Sequence, residues 1–331
     1  MTVLVTGGAG YIGSHMVWEL LDSGEKVVVI DNLSKGFDWA VAPEALLVQG
    51  DVADSALVGG LIREHGVDSV IHFAGSIVVP ESVADPLAYY QNNTCKTRTL
   101  IETAVQAGVG NFIFSSTAAV YGDAGIEPVR EEARLNPESP YGRSKLMSEW
   151  MLRDAAAAHD LRFTALRYFN VAGADPQGRT GQSTPGATHL IKIACETALG
   201  KRPFMQVYGT DYPTADGTCV RDYIHVSDLA RAHRLALQRL RAGGDSMIAN
   251  CGYGHGYSVL EVIQAVRRAF GGDFEVRNGD RRPGDAASVV ANADLARSEL
   301  GWAPQHDDLG QIVSDALSWE RRLQTMNSVR G

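Results

Sequence analysis

The chain has little of what would take it outside the ordinary globular class. Its four cysteines, Cys95, Cys195, Cys219 and Cys251, lie far apart and form no Cys-x-x-Cys pair. That spacing excludes a disulfide scaffold and a thiolate zinc site, and predicts buried thiols in a reducing compartment. Basic residues never run beyond a dipeptide such as Lys201-Arg202 or Arg281-Arg282, and the formal charge is −9. Such a surface suits neither nucleic acid nor an anionic membrane, so neither is expected as a partner. No apolar run reaches membrane-spanning length, and a first strand beginning at Thr2 argues against a leader. A cytoplasmic protein is expected. No histidine pair has metal-ligand spacing beside acidic partners, so no metal is expected either. There is no internal repeat and no low-complexity tract.

What is present is a regular alternation. Thr2–Thr6 and Lys26–Asp31 are β-rich runs flanking a helical stretch from about Tyr11 to Leu21. Val67–Phe73, Asn111–Ser115 and Phe163–Tyr168 read as further buried strands, with a long helix expected from Leu87 to Ala107. Continuous apolar strands separated by helices predict a parallel sheet covered on both faces. Beyond Gly173 the texture loosens into Gly, Pro, Thr and Gln over residues 175–188. A helix returns at Val226–Arg241, then a strand at Ser246–Asn250, then short helices at Ser258–Phe270 and Asp308–Arg322. At 331 residues the chain is long enough for two domains. The expected division is 1–172 with a return at about 222–250, against 173–221 and 251–331.

Between the first strand and first helix stands Gly7-x-x-Gly10-x-x-Gly13. Glycines there permit a tight turn, close approach of backbone to a pyrophosphate, and packing of helix on strand. Asp31, ending the second strand, is placed for a ribose diol and would repel a 2′-phosphate, so NAD is expected rather than NADP. Asp51-Val52, after the third strand, is placed to meet the adenine. Tyr141 and Lys145, four apart in Ser139-Pro140-Tyr141-Gly142-Arg143-Ser144-Lys145, share one helix face. Beside a cationic nicotinamide, the two positive charges favour a phenolate, a base able to take an alcohol proton at neutral pH. A hydroxyl-rich run, Ser115-Ser116-Thr117, follows the fifth strand, where doubly wound sheets place their active sites.

Together with His72-Phe73-Ala74-Gly75, these motifs resemble the extended short-chain dehydrogenase/reductases. Leu166-Arg167-Tyr168-Phe169-Asn170, Tyr212-Pro213-Thr214, Gly217–Val226 and Arg282-Pro283-Gly284-Asp285 resemble the UDP-glucose 4-epimerase family in particular. The resemblance implies a doubly wound (Rossmann) α/β sheet with a smaller α/β C-terminal substrate domain. It implies interconversion of UDP-glucose and UDP-galactose through a 4-keto sugar, with NAD tightly held. Tyr141 would be the acid/base at the C4 oxygen, Lys145 would hold the nicotinamide ribose and lower the Tyr pKa, and Thr117 would help shuttle the proton. Tyr11, Ile12, Asn32, Phe73, Ala74, Gly75, Asn92, Ser115 and Tyr168 would complete the NAD site. Asn170, Arg221 and Arg282 would meet the diphosphate, Gln206 and Tyr208 the uracil, and Asp285 the uridine ribose. His189, Leu190 and Val289 would line the sugar side. A homodimer through the helices around Leu87–Ala107 and Tyr141–Ala158 is implied too.

Neighbouring chemistries fit less well. A 4,6-dehydratase has an Asp-Glu pair where this chain has Ala118-Ala119, and a reductase that epimerises two centres wants a Cys near Thr117. A sister 4-epimerase of UDP-pentose or UDP-glucuronate stays open, as does a non-catalytic NAD-binding regulator, which Thr117, Tyr141 and Lys145 argue against. The sugar pocket departs from the family pattern. Val289 stands where members restricted to glucose and galactose have a Tyr, Ile77 where some have a Lys, and His189 where many have an Asn. UDP-N-acetylhexosamines are therefore expected to be tolerated beside the main pair.

Overall fold

Val, Ile and Leu fill the first strands so densely that only burial on both faces can satisfy them. A computed structural model describes residues 1–125, 127–282 and 285–330. In chain order the first part comprises β1 (Thr2–Thr6), α1 (Tyr11–Asp22), β2 (Lys26–Asp31), β3 (Leu46–Gln49), α2 (Ser55–His65) and β4 (Val67–His72). It continues with α3 (Val79–Ala84), α4 (Pro86–Tyr89), α5 (Lys96–Gln106), β5 (Asn111–Thr117), α6 (Pro140–Ala158) and β6 (Arg162–Tyr168). The second part holds β7 (Asn170–Ala172), α7 (Leu190–Ala198), β8 (Met205–Tyr208), β9 (Val220–Arg221) and β10 (Tyr223–His225). There follow α8 (Val226–Arg241), β11 (Met247–Cys251), β12 (Tyr257–Ser258), α9 (Val259–Phe270), β13 (Val276–Gly279), β14 (Ser288–Val289), α10 (Asp294–Leu300) and α11 (Leu309–Arg330).

Seven strands form one parallel sheet in the order β3-β2-β1-β4-β5-β6-β11. Side chains alternate between its faces. Val3, Val5, Val27 and Val29 join the layer of α1 and α8, while Leu4, Val28 and Ile30 join that of α2 and α5. Burying each such side chain contributes roughly 1.5–3 kcal/mol. Strand order reverses between β1 and β4, whose ends Thr6 and His72 lie in register. A crevice opens there, beyond the carboxyl ends of the strands.

The expected long helix over 87–107 is continuous from Pro86 to Gln106 but changes its winding midway. Between α4 and α5 the residues Tyr90–Cys95 form a π-helical turn. Cys95, on that turn, is exposed, so the expectation of four buried thiols holds only for Cys195, Cys219 and Cys251. The C-terminal helix runs on past Arg322 to Arg330. Outside the large sheet, β10 pairs with β7, β12 and β14 flank β9, and β13 pairs with β8. No helix among the described residues is long and apolar enough to cross a membrane.

Candidate active site

The glycine turn works by removing side chains that would collide. Gly7 has φ +69°, and a Cβ there would lie 2.6 Å from the Ala74 amide nitrogen. Its bareness lets Phe73, Ala74 and Gly75 close over the end of β1. A Cβ on Gly13 would press on the Gly7 carbonyl and lie 2.8 Å from the Gly8 Cα. Gly10 caps α1 with no side chain, so Tyr11, Ile12 and Gly13 begin a helix whose first amides can serve an anion. The Tyr11 phenol donates to the Gly173 carbonyl at 2.8 Å, tying this turn to the second part of the chain.

Asp31 is buried at the end of β2. One carboxylate oxygen accepts from the Ala9 amide at 3.0 Å and the other from the Leu33 amide at 2.8 Å. Each oxygen keeps a further lone pair for a ribose hydroxyl. Leu33 takes φ 57°, a left-handed conformation costing roughly 1–2 kcal/mol for a residue with a Cβ. Asn32 turns its side-chain oxygen to the Ser34 amide at 3.0 Å. Asp51 sits less freely than its place after β3 suggests. The Lys96 ammonium lies 2.5 Å from it and the Ala53 amide donates at 2.9 Å. Burial pushes its carboxyl up, but Lys96 and the Ala53 amide outweigh that and hold it below the usual value. Val52 is buried in the α2–α5 layer. Lys96 was not legible as its partner, because only the fold brings α5 over the end of β3.

Asn92 donates to the Ser76 hydroxyl at 2.9 Å. Its neighbour Asn93, missed in the sequence, is the buried one. Asn93 accepts from the Ser76 amide at 2.7 Å, and a Cβ on Gly75 would lie 3.1 Å from its side-chain oxygen and 3.6 Å from the Lys145 Nζ. The Asn92-Asn93 doublet signalled one such residue, but a π turn admits an extra residue and rotates the face that follows.

Ser139 caps α6 through the Gly142 amide at 3.1 Å, and Pro140 opens the helix. Tyr141 therefore lies in the first turn, where the positive helix end favours an anion. Burial raises its phenol above the ordinary value, and a hydrogen bond with the Thr117 hydroxyl pulls it partly back. Thr117 ends β5 and accepts from the Ala119 amide at 3.2 Å, leaving its own proton for the phenol oxygen. One turn on, Lys145 is buried and donates to the Ser115 carbonyl at 2.9 Å. Burial lowers its ammonium to about 8. In the protein by itself burial and Thr117 set the Tyr141 phenol, and Lys145 is not among its causes. Ser115 and Tyr168 join their hydroxyls on the α8 face, where the Tyr168 ring lies 5.8 Å from that of His233.

The substrate candidates fall into two groups. A cavity of about 50 Å³ brings Asn170, His189 and Leu190 together with Tyr11 and Tyr223. Asn170 donates to the Asp222 carbonyl, and His189 opens α7 with a ring that burial holds below its usual value. Gln206, Tyr208, Arg282 and Asp285 gather elsewhere, around β8 and β13. There the Arg282 guanidinium lies 4.7 Å from the Tyr208 ring centre and pairs with Asp285 at 2.8 Å. The two residues expected to hold different parts of one ligand thus hold each other. Pro283 and Gly284 of the same motif lie outside the described residues. Arg221 donates to the Val220 carbonyl at 2.8 Å, and no carboxylate among the described residues pairs with it. Val289 is half-buried on β14, in register with Arg221. Ile77 is exposed.

Residues 3–252 match the model of the NAD-dependent epimerase/dehydratase family. The chain belongs to that family. It is 58% identical to the UDP-glucose 4-epimerase of Azospirillum brasilense, over 97% of this chain and 92% of that one. The crystal structure of the Brucella ovis UDP-glucose 4-epimerase in complex with NAD superposes with a TM-score of 0.93 at 44% identity, covering 96% and 97% of the two chains. The UDP-Glc/GlcNAc 4-epimerase of Campylobacter jejuni gives 0.85 at 46% identity, covering 97% and 99%. The chain is thus an NAD-dependent epimerase. NAD suits this epimerase's turn: the cradle that a Cβ at Gly7 or Gly13 would fill is open, and the Asp31 carboxylate is fixed beside it.

Proposed function

We propose that this epimerase inverts C4 of UDP-glucose and UDP-galactose by way of a 4-keto sugar. The observation that carries the reading is the grouping of Tyr141, Thr117 and Lys145 at the carboxyl ends of the sheet, across from the glycine turn. Bound NAD would supply a reversible hydride acceptor for C4. Gly7, Gly10 and Gly13 leave room for its pyrophosphate, and Asp31 receives its ribose hydroxyls. Lys145 holds the second ribose and supplies positive charge beside Tyr141. Thr117 orients the C4 hydroxyl, and Tyr141 takes the proton at O4, then gives it back on the other face.

Residues 173–221 and 251–331 bind the nucleotide sugar, while 1–172 with the return at 222–250 bind NAD. Arg221, Arg282 and Asn170 hold the diphosphate, the guanidiniums by paired donors. Tyr208 and Gln206 take the uracil, and Asp285, released from Arg282, takes the ribose. Anchoring at the nucleotide leaves the hexose free to turn. A homodimer through α4, α5 and α6 is supported by apolar side chains left on that surface, with Leu87 76% and Trp150 50% exposed.

The test is a panel of UDP-sugars given to purified protein with no nucleotide added. UDP-galactose is expected to become UDP-glucose, reduced-nicotinamide absorbance to rise transiently, and NAD to appear on denaturation. A strict need for added NADPH would mean that Asp31 has been misread.

A wider sugar range is favoured by Val289, whose side chain is several atoms shorter than the Tyr of restricted members. The Campylobacter jejuni relative, 46% identical, is named for both glucose and N-acetylglucosamine substrates. UDP-N-acetylglucosamine is therefore expected to turn over more slowly than UDP-glucose but measurably. Val289→Tyr is expected to abolish that activity and spare UDP-galactose. Equal loss of both activities, or none toward acetamido sugars in the parent, removes the gate.

A further inference from the structure

Two turns beyond Tyr141, on the same stripe of α6, Glu149 is only 1% exposed, and its partner Arg167 on β6 is 2% exposed. The fork is bidentate: Arg167 Nε to Oε1 at 2.9 Å and Nη2 to Oε2 at 2.6 Å. Ser116, the residue before Thr117, donates to the same carboxylate at 2.5 Å. Arg167 also donates to the Tyr121 hydroxyl at 3.0 Å, which donates in turn to Asn250 on β11 at 2.7 Å. Ser116 and Arg167 are partners in the β5–β6 register, as are Arg167 and Asn250 in β6–β11. One carboxylate on α6 is thus bolted to β5 and β6 directly and to β11 through Arg167 and Tyr121.

Neither charge lines the crevice. Eight residues of helix, roughly 12 Å, separate Glu149 from Tyr141 along the axis. A buried ion pair is weak evidence for stability, because an apolar pair of similar volume often holds a fold as well. What an apolar pair lacks is direction, since it tolerates sliding that a forked hydrogen bond does not.

We propose that Glu149 and Arg167 are positioning residues that fix the axial place of α6, so that the Tyr141 phenol meets Thr117 and the Lys145 ammonium meets the Ser115 carbonyl. This rests on the reading of Tyr141 as acid/base. Thr117 and Ser115 lie on the same strand end as Ser116, so helix and strand are referenced to each other at one point. A slip of about 1 Å there would cost roughly a hundredfold in rate. The residues read as holding the nucleotide lie off α6, on β7, β8 and β9 and at Arg282 and Asp285, so its binding is untouched.

The double variant Glu149→Leu/Arg167→Met tests this, alongside Tyr141→Phe in the same assay. The double variant is expected to fold and retain NAD, with KM for UDP-galactose within about threefold of the parent and kcat per NAD-occupied site down roughly thirty- to a hundredfold. The single variant Glu149→Gln, which leaves Arg167 buried without its charge partner, is expected to melt earlier than the double one. A folded double variant with parental kcat overturns the assignment. So does a double variant that fails to fold, since the pair would then hold the whole domain rather than place the helix. If Tyr141→Phe keeps its turnover, the acid/base reading itself has failed; if only the double variant does, this inference alone has.

Discussion

Tyr141→Phe is expected to fold, retain NAD and lose turnover by roughly 10³–10⁴-fold, about 4–5 kcal/mol of barrier. One hydroxyl is removed from a side chain whose ring keeps its place in the first turn of α6, so packing changes little. On the proposed mechanism, chemistry would lose both the group that takes the proton and the one that steadies the oxygen beside Thr117. Those losses would fall together because a single oxygen would perform both tasks. Stopped-flow absorbance at the reduced-nicotinamide band and product analysis check the result. Turnover near the parent's would remove Tyr141 from the mechanism, and loss of NAD from the variant would mean that the phenol holds cofactor instead.

Gly13→Ala is expected to weaken NAD binding about ten- to a hundredfold, the equivalent of ~1–3 kcal/mol of overpacking. The new methyl would press on the Gly7 carbonyl and approach the Gly8 Cα within 2.8 Å, and both obstacles are backbone. They can yield only by opening the turn that carries the pyrophosphate. Gly60→Ala on α2 is the control, since a Cβ there meets nothing within 4 Å. The readout is NAD released per chain on denaturation, with titration of added NAD. Equal NAD content in both variants would show that the turn has more slack than its geometry implies.

The sheet was legible because its strands are written as unbroken apolar runs, and the places of Gly13 and Asp31 in the turn because each follows from one residue. Tyr141 and Lys145 were legible through helical spacing. The partners that only three-dimensional proximity supplies were not. Lys96 lies 45 residues from Asp51, and Arg167 lies 18 from Glu149. Asn93 was hidden by the π turn, whose extra residue defeats any count made in steps of 3.6. The pairing of Arg282 with Asp285 was hidden for a different reason. Each was assigned to a ligand, and two opposite charges three residues apart satisfy one another first.

The chain leaves the sheet after Tyr168, comes back through α8 to lay down β11, and departs once more beyond Cys251. Three separate lengths of polypeptide therefore bridge the large sheet and the smaller part of the chain, proposed as the cofactor and sugar halves. Any opening of one part from the other would have to bend all three bridges together. The halves are consequently better described as walls of one room than as jaws. If the reaction passes through a ketone as proposed, that ketone would turn by finding clearance, and the width between the walls, rather than the timing of a lid, would set how bulky a sugar can complete the half-rotation.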